Sequence, residues 1–345
     1  MASNIERLAA VRTAGLALAK TVVRNVVQAC PATQADPLPW FILGVASTGN
    51  GGAAQGPTPI NQGTPDPKND KNLKQLGSTG RYYYDGDEHA IKNFPAIKIK
   101  GSDAFSNNVV QDLRTLAKTD TGKSILRALQ KANKDKGYVL TISESFLAED
   151  ACQFTTGTDS KEGKQRLDSS GKVVDGAGAK ASTVLYRADR SMTITINGVD
   201  IDFPSEKVLG HEMIHAVHAA QGKTRIKGAS QSYNEDEENS TVGLDSMHAI
   251  TAAEATDGKN TRSNDDIVKE ISKSYYGKSG YEDAIKKANR ISATTALTPG
   301  MTLWMPPQAG TTSMTENQLR VDQDMPIRPG YSGSLKAVYD EKPKP

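Results

Sequence analysis

The chain has 345 residues, with 42 Lys or Arg against 40 Asp or Glu and a formal net charge of +2. That balance excludes the strong basic excess of a dedicated nucleic-acid binder. Its two cysteines, Cys30 and Cys152, are too few for a disulfide framework and fit a reducing compartment. Hydrophobic residues at 37% allow a core, while aromatics at 6% predict that part of the chain packs poorly.

Residues 1–45 read as an N-terminal amphipathic export or targeting segment, or as a plain helix. Arg7, Arg12, Lys20 and Arg24 interrupt Ile5, Leu8, Leu16, Val23 and Val27, so no clean signal-peptide region exists. The apolar PWFILGV (Pro39–Val45) offers a docking stretch for a delivery apparatus or secretion chaperone. Residues 46–80 are rich in Gly, Pro, Asn and Thr without any period, which predicts a flexible linker. Nowhere does the sequence approach the ~20 apolar residues that span a bilayer.

The folded domain is expected at 81–345. Ala96–Lys100 (AIKIK) alternates like a strand. Phe105, Val109, Leu113 and Leu116 recur at helical spacing behind a capping Ser102 or Asp103. A second helix carries Ile125, Leu126 and Leu129 and stops near Gly137. Strands follow at 137–145 and 182–189. Residues 191–204 alternate on both sides of Asn197-Gly198, a hairpin signal. A helix from Ser205 to Gln221 is closed by Gly222, and further helices are expected at 265–276 and 281–291. The fold class is α+β: a small, largely antiparallel sheet beside helices.

The helix at 205–221 carries GHEMIHAVH (Gly210–His218). Positions four apart share a helix face, so His211 and His215 project together and can ligate one metal ion. This H-E-x-x-H spacing places Glu212 beside the metal as a general base, with zinc the expected cofactor. Leu209, Met213, Ala216 and Ala220 form the opposite, packing stripe. His218 lies on the metal face too, but three histidines along one helix span about 10 Å. That is too far for a single ion with Zn–N near 2.1 Å. His218 is therefore expected to have a structural or supporting role. The third ligand is sought in the acidic run Glu235, Asp236, Glu237 and Glu238. Spacing alone does not choose among the four.

HEMIHAVH followed by EENSTVGL (Glu237–Leu244) resembles the short-spacer gluzincins of bacterial toxins, among them the clostridial neurotoxin light chains. More closely, it resembles the NleD-type effector metallopeptidases. The resemblance extends to MTENQLRVDQDMPIRPGY (Met314–Tyr331) and, weakly, to IKIKGSDAF and TDTGKSILRAL, so it spans about 81–334. It implies a zincin-like peptidase in which Glu237 is the third zinc ligand and Glu238 supports a histidine or the ligand helix. It further implies that Glu316 orients the site, and that Arg328 and Tyr331 stabilise the oxyanion of the reaction. Pro329-Gly330 predicts that this last pair sits on a turn.

The expected function is that of a zinc endopeptidase: an effector secreted by a bacterium and delivered into a host cell's cytoplasm. It would cut a host signalling protein, with MAP kinases the targets the resemblance implies. An interbacterial toxin peptidase and a non-catalytic, zinc-stabilised binding module are the alternatives. Glu212 favours the enzyme, because a purely structural site needs no base. The strand that pairs with an extended substrate is expected at 182–189 or 192–202.

Overall fold

Hydrophobic periodicity translates directly into elements in the computed structural model. The residues it describes are 45–46, 73–76, 81–84, 88–91, 94–145, 152–156, 161–188, 190–196, 199–226, 235–258, 260–308, 311, 313–331 and 340–341. All but Thr311 belong to one compact unit, Trp40–Gln308 with Thr312–Pro345. The amphipathic segment, most of PWFILGV, most of the expected linker and the Asn197-Gly198 turn lie outside the described residues. Inside the expected linker, Leu73–Leu76 pairs with Arg81–Tyr84.

The main sheet contains β1 (Val45–Ala46), β2 (Glu88–Ile91), β3 (Ile97–Lys100), β4 (Val139–Glu144), β5 (Cys152–Thr156) and β6 (Ala181–Tyr186). Its spatial order is β1-β2-β3-β4-β6-β5. The outer pairs are antiparallel, as expected, but β3, β4 and β6 run parallel. Parallel neighbours need a long crossover. Between β3 and β4 it is supplied by α1 (Asp103–Leu116) and α2 (Asp120–Lys136). The Ser102 hydroxyl caps α1 by accepting from Phe105 N, and α2 ends at Gly137 with φ 72°, a left-handed value that glycine adopts without strain.

β7 (Arg190–Ile196) and β8 (Val199–Phe203) form the predicted hairpin, with Ile196 opposite Val199. It feeds α3 (Ser205–Gln221), which Gly222 closes at φ 73°. α3 lies at the centre of the main core: Leu209, Met213, Ile214, Ala216 and Ala219 are fully buried. Burial of a side chain such as Leu209 stabilises the fold by about 2 kcal/mol. Gly210 sits in the helix despite its poor propensity because a Cβ there would meet Leu319 Cδ1 at 2.8 Å and Leu116 Cδ2 at 3.1 Å. Its missing side chain lets neighbouring elements close on the helix next to His211.

A second, smaller core contains Ile250, Ile267, Val268, Ile271, Ile285 and Leu303. It is built by α5 (Ala252–Ala255), α6 (Asn264–Tyr276) and α7 (Glu282–Ala288) with the ribbon β9 (Met247–Ala249) and β10 (Thr302–Trp304). Two short helices complete the frame of the site: α4 (Glu235–Val242) and α8 (Glu316–Val321).

The expectation for a substrate-pairing edge is corrected in part. β6, inside 182–189, is flanked by β4 and β5 and has no free edge. The edge strand beside it is β5. In the second sheet β7 is interior, paired with β8 on one side and Asp340–Glu341 on the other, so of the hairpin's two strands β8 is the edge.

Candidate metal centre

α3 brings His211 and His215 onto one face, with ring centroids 4.8 Å apart and planes nearly perpendicular. Each ring uses its two nitrogens differently. Nδ1 of His211 lies 2.9 Å from Glu316 Oε2. Nδ1 of His215 lies 3.0 Å from Glu237 Oε1 and 3.1 Å from Thr241 Oγ1. A carboxylate at Nδ1 holds the proton there and leaves the Nε2 lone pair available to a metal. The two Nε2 atoms face one another at 3.2 Å, and Glu238 Oε2 is 3.1 Å from both.

Three acceptor atoms so placed repel unless a cation lies among them. His211, His215 and Glu238 are the described residues whose ligand atoms cluster, within 4.8 Å. Ligands 2.1 Å from a tetrahedral zinc are about 3.4 Å apart. The observed spacings of 3.1–3.2 Å are close to that value, so these residues fit the group.

The sequence-expected partner Glu237 occupies a different position. Its carboxylate sits behind His215, accepting from His218 Nδ1 at 2.7 Å and from the Arg225 backbone N–H at 2.8 Å. The glutamate pair thus straddles His215: Glu238 faces Nε2 and Glu237 faces Nδ1. His218 touches Glu237 rather than the Nε2 cluster.

Glu316 is fully buried, and its oxygens serve three cations or donors at once. Oε1 accepts from Arg320 Nε at 2.8 Å; Oε2 accepts from Arg328 Nη1 at 3.1 Å and faces His211. Arg328 also donates from Nε to Gly330 O and from Nη2 to Tyr331 O, which folds the predicted turn around the guanidinium. Three of its five N–H groups are therefore engaged. The Tyr331 ring lies parallel to His211 at 6.3 Å and under Arg328 at 4.7 Å. Three supporting residues escaped sequence reasoning. They are Thr241 at His215, Arg320 at Glu316, and buried Asn317, whose amide brackets the Arg328 backbone in both directions. Only Thr241 had a signal, the Thr-x-Gly after the glutamate pair.

Electrostatics follow from this packing. Burial pushes the Glu212 carboxyl up, more than the neighbouring histidines pull it down. Burial lowers both ligand histidines, but carboxylate hydrogen bonds outweigh it and both finish above the usual imidazole range. Burial also opposes charge on Glu237, yet His215 and His218 bring it down to about 2. Glu238, beside His211 and His215, and Glu316, between Arg328 and Arg320, end well below the ordinary carboxylate range by the same competition.

The Peptidase_M91 family model, described as effector protein, matches residues 94–283. This is the NleD-type family that the sequence resembles. No curated protein matches in sequence. Among solved structures, the chain is similar to the light chain of Clostridium botulinum neurotoxin serotype F, at 13% identity and a TM-score of 0.38 over 76% of this chain and 83% of that one. The catalytic domain of the same serotype gives 13% and 0.38 over 88% and 91%. The botulinum neurotoxin type G light chain gives 13% and 0.38 over 81% and 84%.

Proposed function

Because the chain belongs to the Peptidase_M91 family of effector proteins, we propose that it is a zinc-dependent endopeptidase. In this reading it is a bacterial effector that cuts a peptide bond in a host intracellular protein, with signalling kinases the targets the family resemblance implies. The observation that carries it is the convergence of His211 Nε2, His215 Nε2 and Glu238 Oε2 beside Glu212.

His211, His215 and Glu238 would hold the ion, while Glu237 and Glu316 fix the imidazoles through Nδ1. This exchanges the roles expected for the glutamate pair. A bound zinc supplies Lewis acidity and brings the pKa of a coordinated water towards ~7. Glu212 accepts the proton of the attacking water and passes it to the leaving amine. Its burial-raised pKa suits both halves of that transfer, since a base works best when its pKa lies near the operating pH. Arg328 holds the turn that presents Tyr331 beside His211. This pair stabilises negative charge on the carbonyl oxygen, a contribution typically of about 3 kcal/mol per donor. An extended substrate would pair with a free sheet edge, for which β5, an edge strand among the described residues, is available.

The test compares wild type with Glu212→Gln in a host-cell lysate and reads new protein N-termini by mass spectrometry. Discrete N-termini that need Glu212 are expected. Equal cleavage by both proteins, or none by either with zinc bound, rejects the reading.

A further inference from the structure

The active-site helix is met at its C-terminal end by a protruding ribbon that the site does not use. Residues 161–176 leave and return to the body beside Gly222. Backbone bonds fasten the base: Gln165 N to Thr224 O, Thr224 N to Gly163 O, Gly176 N to Gly222 O and Ala179 N to Ala219 O, all 2.8–3.1 Å. Arg166–Leu167 pairs antiparallel with Val173–Val174. The tip is pre-organised, because Asp168 Oδ1 accepts from Ser170 N, Ser170 Oγ and Lys172 N.

This ribbon is apolar where a solvent-facing ribbon should be polar. Leu167 and Val173 stand directly opposite each other and are 60% and 51% exposed. Ile226, on the adjoining segment, is 40% exposed. Three of the five exposed large hydrophobics among the described residues therefore fall here. Val173–Val174 has no second strand partner among the described residues, and exposed strand edges accept added strands.

Charge identifies the occupant. Residues 161–180 with 223–226 carry seven Lys or Arg against three Asp or Glu, whereas the whole chain is balanced at 42 to 40. Lys161, Lys164, Arg166, Lys172, Lys180 and Lys223 make no ion pair with a described residue. Of the anions, Asp168 is occupied by the tip and Asp175 accepts from the Gln165 amide. The chain's own N-terminal region does not complement this surface. Residues 1–44 hold Glu6 and Asp36 against Arg7, Arg12, Lys20 and Arg24.

We propose that this ribbon is a docking site for an extended acidic segment with apolar residues at alternate positions, belonging to the protein substrate and distant from the bond that is cut. The identification of the partner as substrate rests on the peptidase reading above. The alternate apolar residues meet Leu167 and Val173 while the acidic ones meet the lysines, so docking weakens with salt.

Two measurements test it. The first is fluorescence anisotropy of a labelled peptide, Glu-Asp-Leu-Glu-Val-Asp-Glu, on the Glu212→Gln protein, which cannot consume the probe. Leu167→Thr/Val173→Thr keeps β-propensity, and Lys164→Glu/Arg166→Glu/Lys172→Glu reverses the charge. Each is expected to raise Kd tenfold or more, and the same peptide with Lys for every acid should not bind. The second compares kcat/KM for a cleaved lysate protein with that for a ten-residue peptide spanning its cut bond. The same ribbon variants, in the otherwise wild-type chain, should lose tenfold on the protein and nothing on the peptide, with zinc content and Tm unchanged. An unchanged Kd, equal binding of the lysine peptide, or undiminished cleavage of the protein overturns the proposal. If instead nothing is cleaved while ribbon-dependent binding persists, the peptidase reading falls and the assignment of the partner as substrate falls with it.

Discussion

Glu237 and Glu238 are adjacent in the chain but point about 100° apart on α4, and that angle divides their work. Glu238→Ala removes an atom from the Nε2 cluster, so zinc affinity should fall by more than the 10–100-fold typical of losing a supporting partner. Glu237→Ala should fall within that 10–100-fold range, because it frees His215 Nδ1, His218 Nδ1 and the Arg225 N–H but removes no atom from the Nε2 cluster. Competition against a chromophoric chelator measures both. Glu212→Gln should keep zinc and lose activity by about 10²–10⁴-fold, the usual size of a general-base contribution. The pH dependence has a definite sign. Burial opposes charge on both histidines, but Glu238 and Glu316 at His211, and Glu237 and Glu238 at His215, raise their proton affinity, so protons compete with zinc from above the ordinary imidazole range downwards. Zinc affinity should weaken as pH falls from 8 to 6, and a flat profile would contradict this.

The same residues show where sequence reasoning stops. His211, Glu212 and His215 were legible because one helical period fixes their mutual placement. Choosing between Glu237 and Glu238 was not, because it depends on how α4 is rotated against α3. That rotation is a tertiary property with no local signature. Asn317 and Arg320 were invisible for the same reason: their partners Arg328 and Glu316 acquire meaning only once the turn at 328–331 closes on α8.

At the scale of elements, α4 is set by its ends. Gly243 follows it at φ 92°, and an added Cβ would lie 2.9 Å from Thr315 Cβ and Oγ1. Its carbonyl accepts from Trp304 Nε1 at 3.0 Å, which joins the glutamate helix to the second core. Gly243→Ala should therefore displace Glu238 as well as strain the backbone. We expect a loss of about 1–3 kcal/mol in stability and weaker zinc binding, whereas Gly258→Ala, in open space at φ 90°, should cost stability alone. α3 is similarly tied to α8 through buried Lys207, which donates to Leu319 O and to Gln323 Oε1. Burial lowers the Lys207 pKa to about 8 from 10.5. Between those values the unfolded chain binds more protons than the folded one, so stability rises with pH across that window, by up to about 3 kcal/mol. In Lys207→Met that rise should disappear from denaturation curves taken at pH 8 and 10.5. The caps at Ser102, Gly137 and Gly222 were readable from sequence because capping is local chemistry. The parallel pairing of β3, β4 and β6 was not, since strand alternation carries no direction.

For the whole molecule, two cores meet at the site: the main core supplies α3, and the second anchors the end of α4. The glutamate pair lies 22–27 residues beyond the histidines it faces, and Glu316 of α8 lies 105 residues beyond His211; zinc would tie these segments together. Zinc removal should therefore lower Tm as well as activity, by an amount that grows with free zinc concentration. Val45–Ala46 and Leu73–Leu76 take part in strand pairing, whereas the export role proposed for residues 1–45 is separate from the site. Deleting residues 1–44 should leave zinc affinity and peptide cleavage intact while abolishing delivery.

The most direct measurement is zinc K-edge X-ray absorption on the wild type and on the Glu237→Ala and Glu238→Ala variants. Two imidazole nitrogens with oxygen ligands near 2.0–2.1 Å are expected, with the site preserved in Glu237→Ala and lost or rebuilt in Glu238→Ala. An unchanged spectrum in Glu238→Ala, or a third imidazole in the wild type, would contradict this assignment.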